Sequence, residues 1–268
     1  MDSISDFWES PPWQVGDRKF GKKNGQNKHR LGLKPIALSE LWARDDALSE
    51  NKAQQLKSRY SEVVATHPGY ETYQWQLPGI TYVPREYPDW VACLGAQVAE
   101  DICILDAQDD NRLVAGCLAA PSYWSLKAKL GQPLHDVHEP VEGMNKKIGG
   151  RIVEFFARLP VDRPFRRENW FVHGEAEYFR QNPGLRTQLS ENPDHWMFRS
   201  ERQTLLRLDE RFVVFVIGIV FARFTDIRMH RDALDTFKTS LAAMDDDEVM
   251  HFGGLAKMEQ IANYVDSI

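Results

Sequence analysis

Hydrophobic and polar positions change period several times along the chain, and each change predicts a different element. Ser39 can cap a short helix over 40–43, and Ser49 another from about Glu50. In the second, Leu56, Tyr60, Val63 and Val64 recur at the spacing of one buried stripe, and Pro68-Gly69 ends it. Residues 70–88 read as short extended pieces broken by Pro78, Gly79, Pro84 and Pro88, after which Asp89 caps a helix to about Gln97. From there the pattern turns to short apolar runs. Residues 101–105 and 113–118 flank the polar stretch 106–112, which is a hairpin signal. Residues 122–130 read as a helix ending at Gly131, and 133–143 as an irregular piece. Ile148, Ile152, Val153, Phe155 and Phe156 trace the apolar face of a helix closed by Pro160. Extended segments follow at 169–172, 196–208 and 212–224, the last two joined by the Asp209-Glu210-Arg211 turn. Residues 212–220 are almost continuously apolar, which suits a central strand covered on both faces. Helices near 231–244 and 255–265 complete the chain.

The middle thus reads strand, strand, helices, strand, strand, strand. That is the order of the PAS fold, so the expected class is α+β. It would be a PAS-like five-stranded antiparallel sheet with helices, an N-terminal helical or irregular extension and C-terminal helices. Residues 16–30 are the most basic and glycine-rich segment, which makes 1–30 a basic, flexible N-terminal arm and 31–268 a single domain. The arm either is a solvated segment or docks a partner. A phosphate-loop reading of Gly16, Gly21 and Lys22 fails, because Lys23 stands where Ser or Thr is needed and no apolar strand precedes it.

Thirty-three Lys and Arg against 39 Asp and Glu give a formal charge of −6, which offers no general attraction for phosphate backbones and argues against nucleic acid. The longest apolar run, 212–221, is about half a membrane span. With no basic-then-apolar leader in MDSISDFWES, the expectation is a cytoplasmic protein without a membrane partner. Three cysteines, Cys93, Cys103 and Cys117, are too few for an iron–sulfur cluster and sit in apolar stretches, as buried reduced thiols do. His135 and His138, three apart, can share one face of a helical turn and bind a metal, together or singly; otherwise they are two surface or hydrogen-bonded histidines.

Several local sequences resemble one family together. These are the segment 99–105, like a "QED" strand; Ala120-Pro121-Ser122-Tyr123-Trp124 with Lys129-Leu130-Gly131; Val137-His138-Glu139-Pro140-Val141, like "I-H-x-P-V-P"; Arg167-Glu168-Asn169-Trp170, "R-x-N-W"; and 199–205, "R-x-E-R-Q-T-L". Leu31-Gly32-Leu33 and Trp42 also fall in place, so the likeness spans roughly residues 30–265. The family is that of the haem-dependent oxidative N-demethylase, in its haem-binding α subunit.

The resemblance implies a PAS-like domain binding haem b. It would oxidise a small secondary amine such as dimethylamine with O2, using electrons from NADPH through FMN and a [2Fe–2S] centre on partner reductase and accessory subunits. No G-x-G-x-x-G fingerprint occurs in this chain, which fits such a division of labour. His138 is the expected iron ligand, with His135 the second choice. Lys129, Arg167 and Arg202 are candidate propionate partners, each arginine otherwise forming a surface ion pair. Trp124 and Trp170 would wall the pocket or belong to the core. Glu201, Arg202, Gln203 and Glu100 either act on O2 and amine or form a polar network supporting the sheet. By strand alternation, Arg199, Glu201 and Gln203 share one face, while Ser200, Arg202 and Thr204 share the other. Glu142, Phe221 and His251-Phe252-Gly253 depart from the family pattern. These departures leave open a different amine or a different haem oxidation; the competing readings are a haem-binding gas sensor or carrier without turnover and a haem-free structural subunit.

Overall fold

The most apolar segment of the chain becomes the central strand. In the computed structural model, which describes residues 4–15, 32–137 and 144–268, seven strands form one antiparallel sheet. They are β1 (Lys34–Pro35), β2 (Val64–Thr66), β3 (Asp101–Asp106), β4 (Arg112–Cys117), β5 (Phe165–His173), β6 (Met197–Arg207) and β7 (Phe212–Arg223). Their order is β1-β5-β6-β7-β3-β4-β2, with the predicted β3–β4 hairpin and the β6–β7 pair as neighbours. β7 lies between β6 and β3 and is apolar on both faces, as a doubly covered strand requires.

The helices are α1 (Ile4–Glu9), α2 (Pro12–Val15), α3 (Asp46–Ser58), α4 (Tyr60–Val63), α5 (Trp90–Gly95), α6 (Leu126–Lys129), α7 (Leu134–Val137), α8 (Met144–Arg158), α9 (Arg231–Ala242), α10 (Asp246–Phe252) and α11 (Leu255–Asp266). Strand alternation sorts the core into two sides. On one, Trp170, Val172, Phe198 and Ala222 meet α1, α2, α9 and α11 through Phe7, Trp13, Phe237 and Ile261. Farther along the same side, Ile102, Ile104, Val214 and Val216 pack on Trp75, Leu77, Val91 and Leu94. The other side carries Cys103, Leu105, Leu205, Ile217 and Ile219, faced by Leu126, Ile152, Phe156 and Leu159. We call this second side the α8 face.

Several expectations are revised. The sheet has seven strands, not five, because β1 and β2 add short pairings at either edge. Residues 4–15, inside the segment expected to be an arm, form α1 and α2 and bury Phe7, Trp8 and Trp13; the basic stretch 16–30 lies outside the described residues. The second helix starts earlier, since the Asp45 carboxylate accepts from Leu48 N–H at 2.9 Å and caps α3. Its stripe breaks at Arg59, and Val64 turns into β2. Val153 is 60% exposed although it was placed on the apolar face of α8. The expected helix at 122–130 begins only at Leu126, because Ser122 bridges to Arg180 and Tyr123 takes φ 64°.

Candidate functional site

Across β5 and β6 the α8 face carries a chain of polar contacts. Arg167 lies opposite Gln203, Asn169 opposite Glu201, and Phe171 opposite Arg199, which in turn faces Phe221 on β7. Arg167 Nε donates to Gln203 Oε1 (2.8 Å) and Gln203 Nε2 to Glu201 Oε2 (2.9 Å); Arg199 Nε lies 3.5 Å from Glu201 Oε1. Arg199 is fully buried, so its guanidinium requires acceptors. Besides Glu201 it donates to the carbonyls of Ala120 (2.6 Å) and Tyr178 (3.3 Å). Burial pulls its pKa below the ordinary value, and Glu201 opposes that shift. Asp101 fixes the other end: its carboxylate accepts from Ala119 and Ala120 N–H, both at 2.8 Å, and lies 3.9 Å from the buried Lys52 ammonium.

Next to Arg199 the face ends in a cluster of cations and aromatic rings. His173, the last residue of β5, is completely buried, and neither ring nitrogen has a hydrogen-bond partner. Burial, with Arg199, Lys257, Arg180 and Arg186 around it, holds its pKa well below the usual 6.5, so the imidazole is neutral. The Tyr123 ring lies 5.0 Å from it, and the Arg186 guanidinium stands 5.5 Å over Tyr123. Tyr123 N–H donates to Arg180 O (2.6 Å) and Arg180 N–H to Pro121 O (3.0 Å), which holds this tyrosine in the left-handed region that favours glycine. A bulky residue there costs on the order of 1–3 kcal/mol. Its hydroxyl lies near the Arg180 guanidinium without closing a well-formed hydrogen bond. Ser122 Oγ, Arg180 Nε, Gln181 Nε2 and Arg186 Nε are also buried without a partner.

Lys257 approaches from α11. Its ammonium donates to Arg186 O (2.9 Å), and burial with Arg186 and Arg180 lowers its pKa from 10.5 to about 7. Gly253 makes this approach possible: it has φ +132°, and a Cβ there would stand 2.6 Å from both Arg186 O and Lys257 Cδ. Phe252 packs on Trp170 at 5.3 Å and on Phe171 at 6.3 Å. Those two side chains point to opposite sheet faces, so the end of α10 straddles the edge of β5.

The sequence-predicted residues do not converge on one place. His138 lies outside the described residues. His135 is 66% exposed, with Nδ1 3.2 Å from Asp136 Oδ1, which places it at the surface. Lys129 donates to Asp136 O (3.1 Å) at the end of α6. Trp124 packs at the margin of the α8 face. Trp170 belongs to the opposite core, 5.8 Å from Trp13 and 5.6 Å from Phe237. Glu201 and Gln203 share the α8 face, but Arg202 points away and donates to Glu100 Oε1 at 2.8 Å. Glu100 Oε1 also accepts from Ala43 N–H at 2.6 Å, which makes this pair a structural tie. Sequence reading missed His173, Tyr123, Arg180, Arg186 and Lys257. The available signal for Lys257 was its place four residues before Ile261 and eight before Val265 on one buried stripe.

Residues 48–262 match the family described as haem-dependent oxidative N-demethylase, alpha subunit-like. The chain belongs to that family. Comparison with individually curated proteins gives no match. Haem dependence is the chemistry that the family description carries, and the α8 face offers half-buried apolar side chains of the kind a flat macrocycle needs. Phe215 and Phe221 lie on the central strand yet stay half-buried, as do Trp124, Leu134, Phe155 and Phe165 around them. Arg167 stands among them as a half-buried cation. Among the described residues no group of three or more His, Cys, Asp or Glu is arranged to hold a metal ion. All three cysteines are buried and unbridged, and burial pushes the Cys117 thiol up to about 12. No described helix is long and apolar enough to cross a membrane.

Proposed function

We propose that the chain is the haem-bearing oxidising subunit of an amine N-demethylase. The observation that carries this reading is the row of half-buried aromatics on the α8 face, set beside the Arg167–Gln203–Glu201–Arg199 chain. The inner strands support a PAS-like core: taken alone, β3 to β7 stand in the order second, first, fifth, fourth, third. Haem b, when bound, supplies the iron at which O2 is reduced. His138, just before α8, is the proposed ligand, with Arg167 and Lys129 toward the propionates.

The net reaction is removal of an N-methyl group: amine, O2, two electrons and two protons give the demethylated amine, formaldehyde and water. The electrons come from NADPH by way of a flavin and a [2Fe–2S] centre on partner subunits. Dimethylamine is the simplest such substrate. Within this chain, Glu201 is the acceptor for the amine N–H, since a carboxylate held by Gln203 and Arg199 keeps further lone pairs free. Arg167 and Gln203 fix its orientation, and Arg199 offers guanidinium protons where negative charge develops. Phe221 and Tyr178, with ring centroids 5.0 Å apart, exclude water beside this group.

Protein purified from haem-replete cells should show a Soret band that His138→Ala removes or strongly shifts. Formaldehyde release should require O2 and an electron donor. A full, unshifted band in His138→Ala would remove that residue from the ligand role, and absence of any band would refute the reading.

A further inference from the structure

We infer that the cluster of Tyr123, His173, Arg180, Arg186, Arg199 and Lys257 binds a small carboxylate, so that the amine taken by this protein is an N-methylated acid and not a bare dialkylammonium ion. The inference rests on the proposed function for the fate of the methyl group, but the binding site stands on its own geometry. Four cations gather around one buried imidazole, and all four bear on it. The carboxylates that bear on them are Glu201, on Arg199 and Arg186, Asp101, on Arg199 but already beside the Lys52 ammonium, and Glu175 and Glu177, both exposed and 3.4 Å from Arg180. Lys257 donates to a peptide carbonyl, and the charges bearing on it are the cations Arg186 and Arg180. The interior is therefore short of negative charge.

It is also short of acceptors. The nitrogens Arg180 Nε and Arg186 Nε and the hydroxyls of Ser122 and Tyr123 are buried donors without partners, and the Tyr123 ring lies against His173 and under the Arg186 guanidinium. Tyr123 and His173 are 3% and 0% exposed, so bulk water does not serve them. A carboxylate brings acceptor oxygens with four lone-pair sites and one negative charge, and suits guanidinium donors. Internal water would satisfy hydrogen bonds but leave the charge uncompensated. A dialkylammonium ion brings only more donors and another positive charge. In a zwitterion the carboxylate would meet this cluster while the amine meets Glu201, which contacts the same Arg199.

Titration calorimetry of the purified protein at pH 7 tests this with sodium acetate, N,N-dimethylglycine, dimethylammonium chloride and inorganic phosphate. Acetate and N,N-dimethylglycine should bind, and Arg180→Gln and Lys257→Met should each weaken them at least tenfold. Tyr123→Phe, which removes only an unpartnered hydroxyl, covers the case in which Lys257→Met does not fold, and should weaken binding severalfold. Binding that persists in haem-loaded protein supports a small acid as the source of the carboxylate. Binding seen only without haem would assign the cluster to the porphyrin's own propionate and overturn the inference. So would phosphate binding tenfold tighter than acetate, dimethylammonium binding as well as N,N-dimethylglycine, or no heat from either carboxylate. Those results leave a Soret band, and hence the proposed function, untouched. Carboxylate binding that depends on Arg180 in a protein with no Soret band would uphold the site and refute the haem reading.

Discussion

Replacing Asp101 with alanine removes the carboxylate on which the route to the cation cluster is hung. Its two oxygens satisfy the N–H groups of Ala119 and Ala120, both at 2.8 Å, and it is the acid beside the buried Lys52. Each backbone donor left buried without an acceptor costs about 1–3 kcal/mol. Removing one partner of a buried ion pair costs about 3–5 kcal/mol in all. Lys52 keeps the carbonyls of Gly95, Val98 and Glu100, which satisfy its protons but not its charge. Burial raises the Asp101 pKa above 3.8, so the carboxylate itself is costly to keep ionised and part of the loss is recovered. We therefore expect about 3 kcal/mol of destabilisation, read from urea denaturation at pH 7. The melting temperature should fall by about 6–12 °C at 2–4 °C per kcal/mol. The effect should reach the site, because Ala120 O is the 2.6 Å acceptor of Arg199. A loss under about 1 kcal/mol would refute this accounting. So would a Lys52→Met/Asp101→Ala cycle with no coupling, since groups sharing one network do not add.

Lys257 gives a pH signature. Its pKa falls from 10.5 unfolded to about 7 folded, so between those values the unfolded chain holds a proton that the folded chain has lost. Its contribution to stability is lowest below about pH 7 and rises toward pH 10.5. Denaturation from pH 6.5 to 9.5 should show the wild type gaining on Lys257→Met, and parallel curves would contradict it. Gly253→Ala would place a Cβ 2.6 Å from Arg186 O at φ +132°, so we expect a loss of at least about 1–3 kcal/mol and weaker carboxylate binding. Trp170→Ala should cost about 3–5 kcal/mol in urea denaturation, as a core tryptophan does, with the position of any Soret band unmoved. A shifted band with unchanged stability would return Trp170 to the pocket.

The sheet was legible where period and turn chemistry agreed. The 106–112 turn lies between β3 and β4, Asp209-Glu210-Arg211 separates β6 from β7, and the unbroken apolar run of β7 marked its central place. Alternation along β6 also gave the correct faces for Arg199, Glu201 and Gln203, and the same parity separates Arg202 and Glu100 from them. The cation cluster was not legible for a different reason. Its members come from five separate segments, around 123, 173, 180–186, 199 and 257, and Arg180, Arg186 and Lys257 each read alone as ordinary surface charges. His173 fell one residue beyond the predicted strand. Ser122 and Tyr123 were assigned to a helix because their local pattern suited one, and the long-range bridge to Arg180 overrode it.

The ends of the sheet bear on how the chain avoids sticking to copies of itself. β7, FVVFVIGIVFAR, is the kind of segment that would recruit a matching strand if it lay at a border. Both borders are instead blunted: β1 has two residues, one of them Pro35, and β2 has three. Beyond β1 the outer rim of β5 is shielded by Phe252 at the end of α10. Undocking of that short helix would strip the Phe252 ring from Trp170 and Phe171 beside two long strands, so variants that loosen it should self-associate first.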